Sequence, residues 1–482
     1  MHLTAAAKIL GLFLMVFSLT MLVPAAIAWL YDEATIPAFL ASCGLILATG
    51  GALWLPVRRR TLDLRARDGF LITTLFWVVL GIAGALPLVI APPLHLPLAD
   101  AVFESVSGFT TTGATVVTGL DTLPRSILFY RQQLHFLGGI GIVVIAVAIM
   151  PMLGVGGMQL YKAENIGPSK ESKMTPRIAD TAKALFVIYV VLNMACALTY
   201  WILGMDTFDA VTHAFSTIST GGFGNYDASM AIFDSRPIMA ACIVFMTLAA
   251  LSFGLHYFAW LKGSVNQYWR NPEARFFLIA LAAGSLLVSA YLYLSGTHGL
   301  LDSLFHGSFQ LVSISTSTGF LTDNFSIWPS FLPFFLMVMS FLGGCVGSTG
   351  GGVKAGRMLI MSKQVLREFA RLVHPNGVFP MKTGNWAVPT RVSDSVWAFF
   401  GIYIAVFYAI VMLLMLTGLD YVTAWASTAS MINNTGPALG VTASHFRDVS
   451  ATAKWLFSAA MILGRLEILT VLVLFTPMFW RR

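Results

Sequence analysis

The chain has 482 residues, is 57% hydrophobic and only 11% charged, and has a mean hydropathy of +0.79. Soluble domains are about half apolar and a quarter charged, so this composition excludes one and defines an integral membrane protein. The net charge of +7 falls in loops between apolar runs, which is a pattern of membrane topology rather than of a nucleic-acid surface.

Apolar runs of about 20 residues make helices the spanning element, since barrel strands would alternate. Residues 9–30 and 36–55 read as a helical hairpin joined by Tyr31-Asp32-Glu33. The first run is too long for a signal-peptide core and lacks a small-x-small cleavage site, so it is read as a mature helix. Arg58, Arg59, Arg60, Arg65 and Arg67 follow the second run and mark a cytoplasmic loop. The N-terminus is therefore expected on the cytoplasmic side too.

A unit then recurs four times: a span, a half-length helix, a polar loop and a returning span. The expected spans are 70–90 and 127–150 around a half-helix at 98–108, then 184–203 and 238–261 around 208–218. They continue with 276–294 and 331–360 around 301–315, and end with 396–416 and 455–475 around 421–432. The expected fold is all-α: ten full spans and four half-helices, in four pseudo-symmetric units around one pore, with both termini cytoplasmic. The divisions are 1–67 (hairpin and basic loop), 68–155 (unit one), 156–261 (cytoplasmic segment and unit two), 262–362 (unit three) and 363–482 (cytoplasmic segment and unit four). Of the 29 Lys and Arg, all fall on the cytoplasmic side except Arg125, Arg131, Arg236, Arg447 and Lys454, which face outward, and Arg465, which sits within a span.

Each polar loop follows a stretch that begins with an acid, Asp100, Asp209, Asp302 or Asp420. The loops are Thr110-Thr111-Thr112-Gly113, Ser219-Thr220-Gly221-Gly222, Thr316-Ser317-Thr318-Gly319 and Asn433-Asn434-Thr435-Gly436. A dehydrated cation needs oxygen ligands in place of its hydration shell, and rings of backbone carbonyls supply them. Glycine admits the backbone angles that line carbonyls up, and non-helical backbone at membrane depth survives only where it lines a cavity. One such run is ordinarily a surface turn. Four, each between a half-helix and a span, are a plan for a pore.

Two further features sit in apolar surroundings. Gly343-Gly344-Cys345-Val346-Gly347-Ser348-Thr349-Gly350-Gly351-Gly352 interrupts the returning span of unit three, with Lys354 close behind. It is not a nucleotide-binding P-loop, because Lys354 is not followed by Ser or Thr and no soluble strand precedes the run. So long a run exceeds a simple kink and reads as a flexible loop below the pore loops. Arg465 lies at membrane depth, where an ionisable group is costly and a functional candidate. Its neighbour Glu467 is two residues away and so points elsewhere. Glu104, His213 and His306, in or near the half-helices, are candidates for proton transfer or for packing. Cys43, Cys196, Cys242 and Cys345 have no ligand-like spacing. The basic stretches 154–183 and 363–391 are cytoplasmic loops or a docking surface for a cytoplasmic partner.

The four runs, their order and the N-terminal hairpin resemble the TrkH family of bacterial potassium-uptake subunits, within the superfamily that includes Ktr-type and plant HKT-type transporters. The resemblance covers essentially the whole chain. It implies a filter for potassium, the transported ion, built by Thr110, Thr111, Thr112, Gly113, Ser219, Thr220, Gly221, Gly222, Ser317, Thr318, Gly319, Asn434, Thr435 and Gly436. Relatives with serine at the first filter glycine tend to pass sodium, and four glycines here imply potassium. The resemblance also implies an intramembrane gate made of Gly344, Gly347, Gly350, Gly351, Gly352 and Lys354, with Arg465 as an electrostatic barrier. It implies a homodimer in the bacterial inner membrane, surrounded by lipid, and a peripheral cytoplasmic TrkA-type nucleotide-binding subunit. No enzymatic activity and no organic cofactor are expected. The alternative is a potassium symporter coupled to protons or sodium, although repeats running in one direction favour a channel-like pore over a rocking carrier.

Overall fold

The computed structural model describes residues 3–59, 66–143, 178–384 and 386–481. Helices α1 (Leu3–Thr20) and α2 (Leu22–Leu30) make one apolar span of 27 residues, Thr4–Leu30. It is interrupted at Met21 because Pro24 has no N–H to offer the Thr20 carbonyl. That orphaned carbonyl accepts instead from the Gln133 side chain at 2.8 Å. Helix α3 (Ile36–Trp54) returns.

Unit one consists of α4 (Ala66–Ala83), α5 (Leu86–Ile90), the half-helix α6 (Leu98–Phe109) and α7 (Arg125–Gly141). The Glu33 carboxylate in the hairpin turn accepts from the amides of Arg125 at 2.6 Å and Ser126 at 3.1 Å. An acid at the positive end of α7 thus docks the hairpin on unit one. Unit two has α8 (Ile178–Ile202), half-helix α9 (Thr207–Ile218), α10 (Arg236–Ala250) and α11 (Phe253–Lys262). A short α12 (Asn266–Arg270) leads to unit three, built from α13 (Pro272–Leu294), half-helix α14 (Leu300–Ser315), α15 (Phe331–Met339) and α16 (Ala355–Val373). The one sheet among the described residues is an antiparallel pair, β1 (Lys382–Thr383) and β2 (Trp386–Ala387). Unit four has α17 (Thr390–Leu416), half-helix α18 (Tyr421–Ile432), α19 (Ala451–Arg465) and α20 (Leu469–Leu472).

The expectation of ten full spans needs correction. Among the described residues six segments are long and apolar enough to cross a membrane, and two helix pairs qualify only if each bent pair counts as one span. The returning segments of units two, three and four are broken. Helix α10 turns by 98° into α11, and α19 turns by 103° into the stretch Leu469–Phe475. Each of α10 and α19 has 15 residues, about 22 Å of helix, short of the roughly 30 Å hydrocarbon core. In unit three the expected span 331–360 is the nine-residue α15, a coil running to residue 354 and then α16. The end of the expected span 127–150 lies outside the described residues, as does most of the basic segment 154–183.

Packing closes the four units into a ring. Helix α7 touches half-helices α6 and α9, α10 touches α9 and α14, α15 touches α14 and α18, and α19 touches α18 and α6. The bundle is apolar outside and polar within. Helix α8 exposes Val191, Met194, Leu198 and Ile202, while Gln132, His135, His213 and Gln310 are buried near the centre. A lipid-facing surface reverses the soluble pattern in this way.

Candidate functional site

Each half-helix ends where its polar loop begins. Thr110, Ser219, Thr316 and Asn433 are the C-cap residues of α6, α9, α14 and α18. The second residue of every loop is left-handed, with φ of 53° at Thr111, 53° at Thr220, 60° at Ser317 and 53° at Asn434. The amide of the third residue then bonds to the carbonyl five residues back. These bonds are Thr112 to Ser107, Gly221 to Ser216 and Thr318 to Ser313 at 2.8 Å, and Thr435 to Ser430 at 2.9 Å. The second-residue amide bonds three residues back in each case. This is the paired C-terminal cap that usually recruits glycine at its left-handed position, built four times with Thr, Thr, Ser and Asn. Its consequence is that the N–H groups turn back into the helix ends and the carbonyls are left over.

Those carbonyls meet the neighbouring loop in cyclic order. A Cβ placed on Gly113 would lie 2.0 Å from the Gly221 oxygen, on Gly222 2.0 Å from Thr318, on Gly319 2.0 Å from Thr435, and on Gly436 2.6 Å from Thr112. The four glycines have φ between 81° and 95°, a region that disfavours any side chain. Among the described residues no hydrogen bond ends on the carbonyls of Thr112, Gly221, Thr318 or Thr435. Four buried carbonyls without protein donors therefore alternate with four glycines around one closed ring.

The supports of the ring are not fourfold. Loops one and three are braced across the turn by hydroxyl pairs, Thr110–Thr112 and Thr316–Thr318, each at 2.8 Å. In loop four Asn433 accepts from the Tyr403 hydroxyl at 2.6 Å and donates to Ser340 at 2.9 Å. Asn434 donates to Thr112 Oγ1 and to the Met461 carbonyl, both at 2.9 Å, and so ties loop four to loop one. Helix α7 supports loop two. Arg131 donates to the Gly224 carbonyl at 3.1 Å, and Gln132 to the Phe223 carbonyl at 2.7 Å.

On the glycine side the ring opens into a cavity of about 570 Å³ lined by Gly113, Gly222, Gly319 and Gly436 with Asp227, Arg447 and Asp448. On the helix-end side the space shrinks to about 50 Å³ between residues of the 343–352 run, Lys354, Gly464 and Arg465. The Gly-rich run is the filler. Thr349 Oγ1 donates to the Ile218 carbonyl at 3.0 Å, and the Gly351 amide to Ser317 Oγ at 2.6 Å. A Cβ on Gly351 would lie 2.0 Å from the Asn433 oxygen. The run thus abuts the helix ends of units two, three and four. Its Cys345 amide bonds to the Ala250 carbonyl at 2.8 Å, and its Gly347 carbonyl accepts from the Phe253 amide at 3.0 Å, which satisfies backbone freed by the α10–α11 bend. Arg465 donates to the Thr349 carbonyl at 2.8 Å, and the Lys354 ammonium donates to the Gly350 carbonyl. Of the expected gate residues Gly344, Gly347, Gly350, Gly351, Gly352, Lys354 and Arg465, all are brought together here.

Several residues at the site escaped sequence reasoning. Glu273, buried in the first turn of α13, accepts from the amides of Val346 at 2.7 Å and Gly356 at 2.9 Å and ties the run to the start of α16. Arg357 pairs with Glu467 and lies 4.1 Å from the centre of the Phe399 ring, so Glu467 is spoken for by a residue other than Arg465. Arg131, expected to face outward, is instead buried against Glu104 at 2.8 Å. Its burial follows from a second loop that needs a donor at Gly224. Glu104 also accepts from the Val116 amide at 2.9 Å, a bracing position away from the ring. His213 bonds the Asp209 carbonyl at 2.9 Å and His306 the Thr322 hydroxyl at 3.1 Å. Of the four acids heading the loops, Asp420 caps α18, Asp100 pairs with Lys454 and Asp302 with Arg236.

A helical bundle with its polar groups inside, arranged around four capped helix ends, is a membrane transport architecture rather than that of an enzyme. The family model described as "TrkH: Cation transport protein" matches residues 35–482. The chain is 50% identical over 482 residues, covering both chains fully, to the Trk system potassium uptake protein TrkH of Halomonas elongata. It is 48% identical over 483 residues, again with full coverage, to the protein of that name from Escherichia coli K12. The crystal structure of the potassium transporter TrkH from Vibrio parahaemolyticus matches with a TM-score of 0.93 at 46% identity, covering all of both chains. The chain belongs to the TrkH family of cation transport proteins, as the four polar runs implied.

Proposed function

We propose that this protein takes up potassium across the bacterial inner membrane through the ring of four loops. The observation that carries the reading is the cyclic set of buried third-position carbonyls, each abutting a glycine of the preceding loop and none used by a donor among the described residues. Carbonyl oxygens in such a ring replace the water of a dehydrated cation. The half-helices aim the negative ends of their dipoles at the same place, which favours a cation there. Thr110, Thr111, Thr112, Gly113, Ser219, Thr220, Gly221, Gly222, Ser317, Thr318, Gly319, Asn434, Thr435 and Gly436 form the filter. The 343–352 run with Lys354 and Arg465 is the gate. Support for it is the contrast between about 570 Å³ on one side of the ring and about 50 Å³ on the other. Two cations at the narrow side also repel a third.

The bias of Lys and Arg toward one set of loops supports a topology with both termini in the cytoplasm. The family resemblance supports a homodimer and a nucleotide-binding TrkA-type partner docking on the cytoplasmic segments. Helix α16 exposes Leu366, Phe369 and Leu372 beside Arg367 and Arg371, an amphipathic stretch suited to that contact. The test is cation flux into proteoliposomes of purified protein, comparing potassium, rubidium, sodium and lithium with and without a proton gradient. Potassium and rubidium preference that is indifferent to pH supports a selective pore. Strict dependence on a proton or sodium gradient makes the protein a coupled symporter and overturns the channel-like reading.

A further inference from the structure

Three loops carry a threonine at their third position, Thr112, Thr318 and Thr435, whereas the second loop has Gly221. Gly221 is not there for its backbone. Its φ is not positive, unlike that of Gly222 beside it at 84°, so any L-residue fits the local conformation. What excludes a side chain is His135 of α7. A Cβ on Gly221 would lie 2.2 Å from the His135 Nδ1. The imidazole is fully buried, lies flat on Phe223 with centroids 4.3 Å apart and planes at 15°, and sits 3.1 Å from Ser216 Oγ. Ser216 is also the residue whose carbonyl caps the Gly221 amide. The ring therefore touches the loop on three sides: its third residue, its cap and the residue that follows it.

We infer that His135, supplied by the returning helix of unit one, is a positioning residue that determines ion specificity in loop two by taking the place of the missing threonine. Loops one and three fix their third residue by a hydroxyl bridge between its side chain and that of the first. Loop two holds its own by a ring borrowed from the neighbouring unit. Discrimination between ions of different radius depends on how firmly each carbonyl is held. Loosening the Gly221 carbonyl therefore lowers selectivity without closing the path. This inference rests on the filter assignment above.

The experiment measures the ratio of rubidium to sodium uptake in proteoliposomes for the wild-type protein, His135→Ala, Gly221→Thr and the double variant. His135→Ala is expected to keep rubidium flux and lose about fivefold or more in the ratio, the scale of a modest coupling energy. Gly221→Thr alone is expected to lose flux, because threonine collides with the imidazole. In the double variant the threonine enters the vacated space, recovering flux over Gly221→Thr and selectivity over His135→Ala. A wild-type ratio in His135→Ala, or a double variant no better than the worse single one, overturns the inference. Where His135→Ala is not recovered folded, the comparison of Gly221→Thr with the double variant decides alone. A wild-type protein without rubidium preference fails the filter assignment instead, before any variant is made.

Discussion

A methyl group on Gly222 or Gly319 would arrive 2.0 Å from the carbonyl of the next loop, at a φ of 84° that a side chain avoids. Alanine at either position is expected to abolish rubidium uptake while the protein still reaches the membrane. Gly436→Ala should be the mildest of the four, since its nearest carbonyl is 2.6 Å away. Ranking the four alanine variants by uptake at matched expression checks this, and a Gly436 variant worse than the rest contradicts it. Arg465→Ala removes a guanidinium from the narrow side of the ring and is expected to raise cation flux. Unchanged flux at equal expression would remove the barrier assignment. The loop quartets and Arg465 were legible because polar residues stand out against apolar sequence. His135 and the Tyr403–Asn433 bond were not, since they join residues 86 and 30 positions or so apart, a matter of tertiary packing rather than local pattern. The departure of loop four from the Thr/Ser pattern, with Asn433 and Asn434, stands in the sequence, but its cause lies in neighbouring helices.

Among the elements, the half-helices agree closely with the expected segments, because each lies between an acid-rich start and a glycine-bearing end. The returning helices do not. Hydropathy counts apolar residues and is blind to a bend when the sequence on both sides of it is apolar. Beyond α19 the bend falls at Glu467 and Ile468, with φ of 55° and 52°, which nothing in a hydropathy profile announces. The Gly-rich run was visible as a break, but its tether was not. Glu273 reads only as an acid in the first turn of a helix, and its two amide partners lie 73 and 83 residues on. Because one carboxylate oxygen holds both amides, Glu273→Ala should free the run and raise basal flux, with Glu273→Gln near wild type because its amide oxygen can still accept from both. Basal uptake without any partner protein measures this. Lower flux in Glu273→Ala would mean that the carboxylate holds the path open rather than shut.

For the whole molecule, the closed ring of units depends on contacts outside the four loops. Arg131 and Glu104 are an ion pair with side chains 1% and 0% exposed, and they link loop one to loop two through Val116 and Gly224. Removing one partner of such a pair leaves an uncompensated buried charge, at a cost of about 3–5 kcal/mol. Arg131→Met should therefore lower the melting temperature in detergent sharply, and Glu104→Gln added to it should restore part of the loss. A double variant less stable than the single one would show that the charge is compensated elsewhere. Counting basic residues misplaced Arg131, because a charge satisfied indoors looks the same in sequence as one in solvent.

The Gly-rich run belongs to one unit only, yet it abuts the helix ends of three. Four identical subunits could not be built this way, since each would carry its own copy to an axis with room for a single strand of chain. Joining the four quarters into one polypeptide lets three of them give up that space. On the proposed reading of the run as the gate, one lever closes the conduit instead of four that must move in concert. Opening is, on that same reading, a single local event, and the proposed cytoplasmic partner would need to grip only one side of the protein to command it.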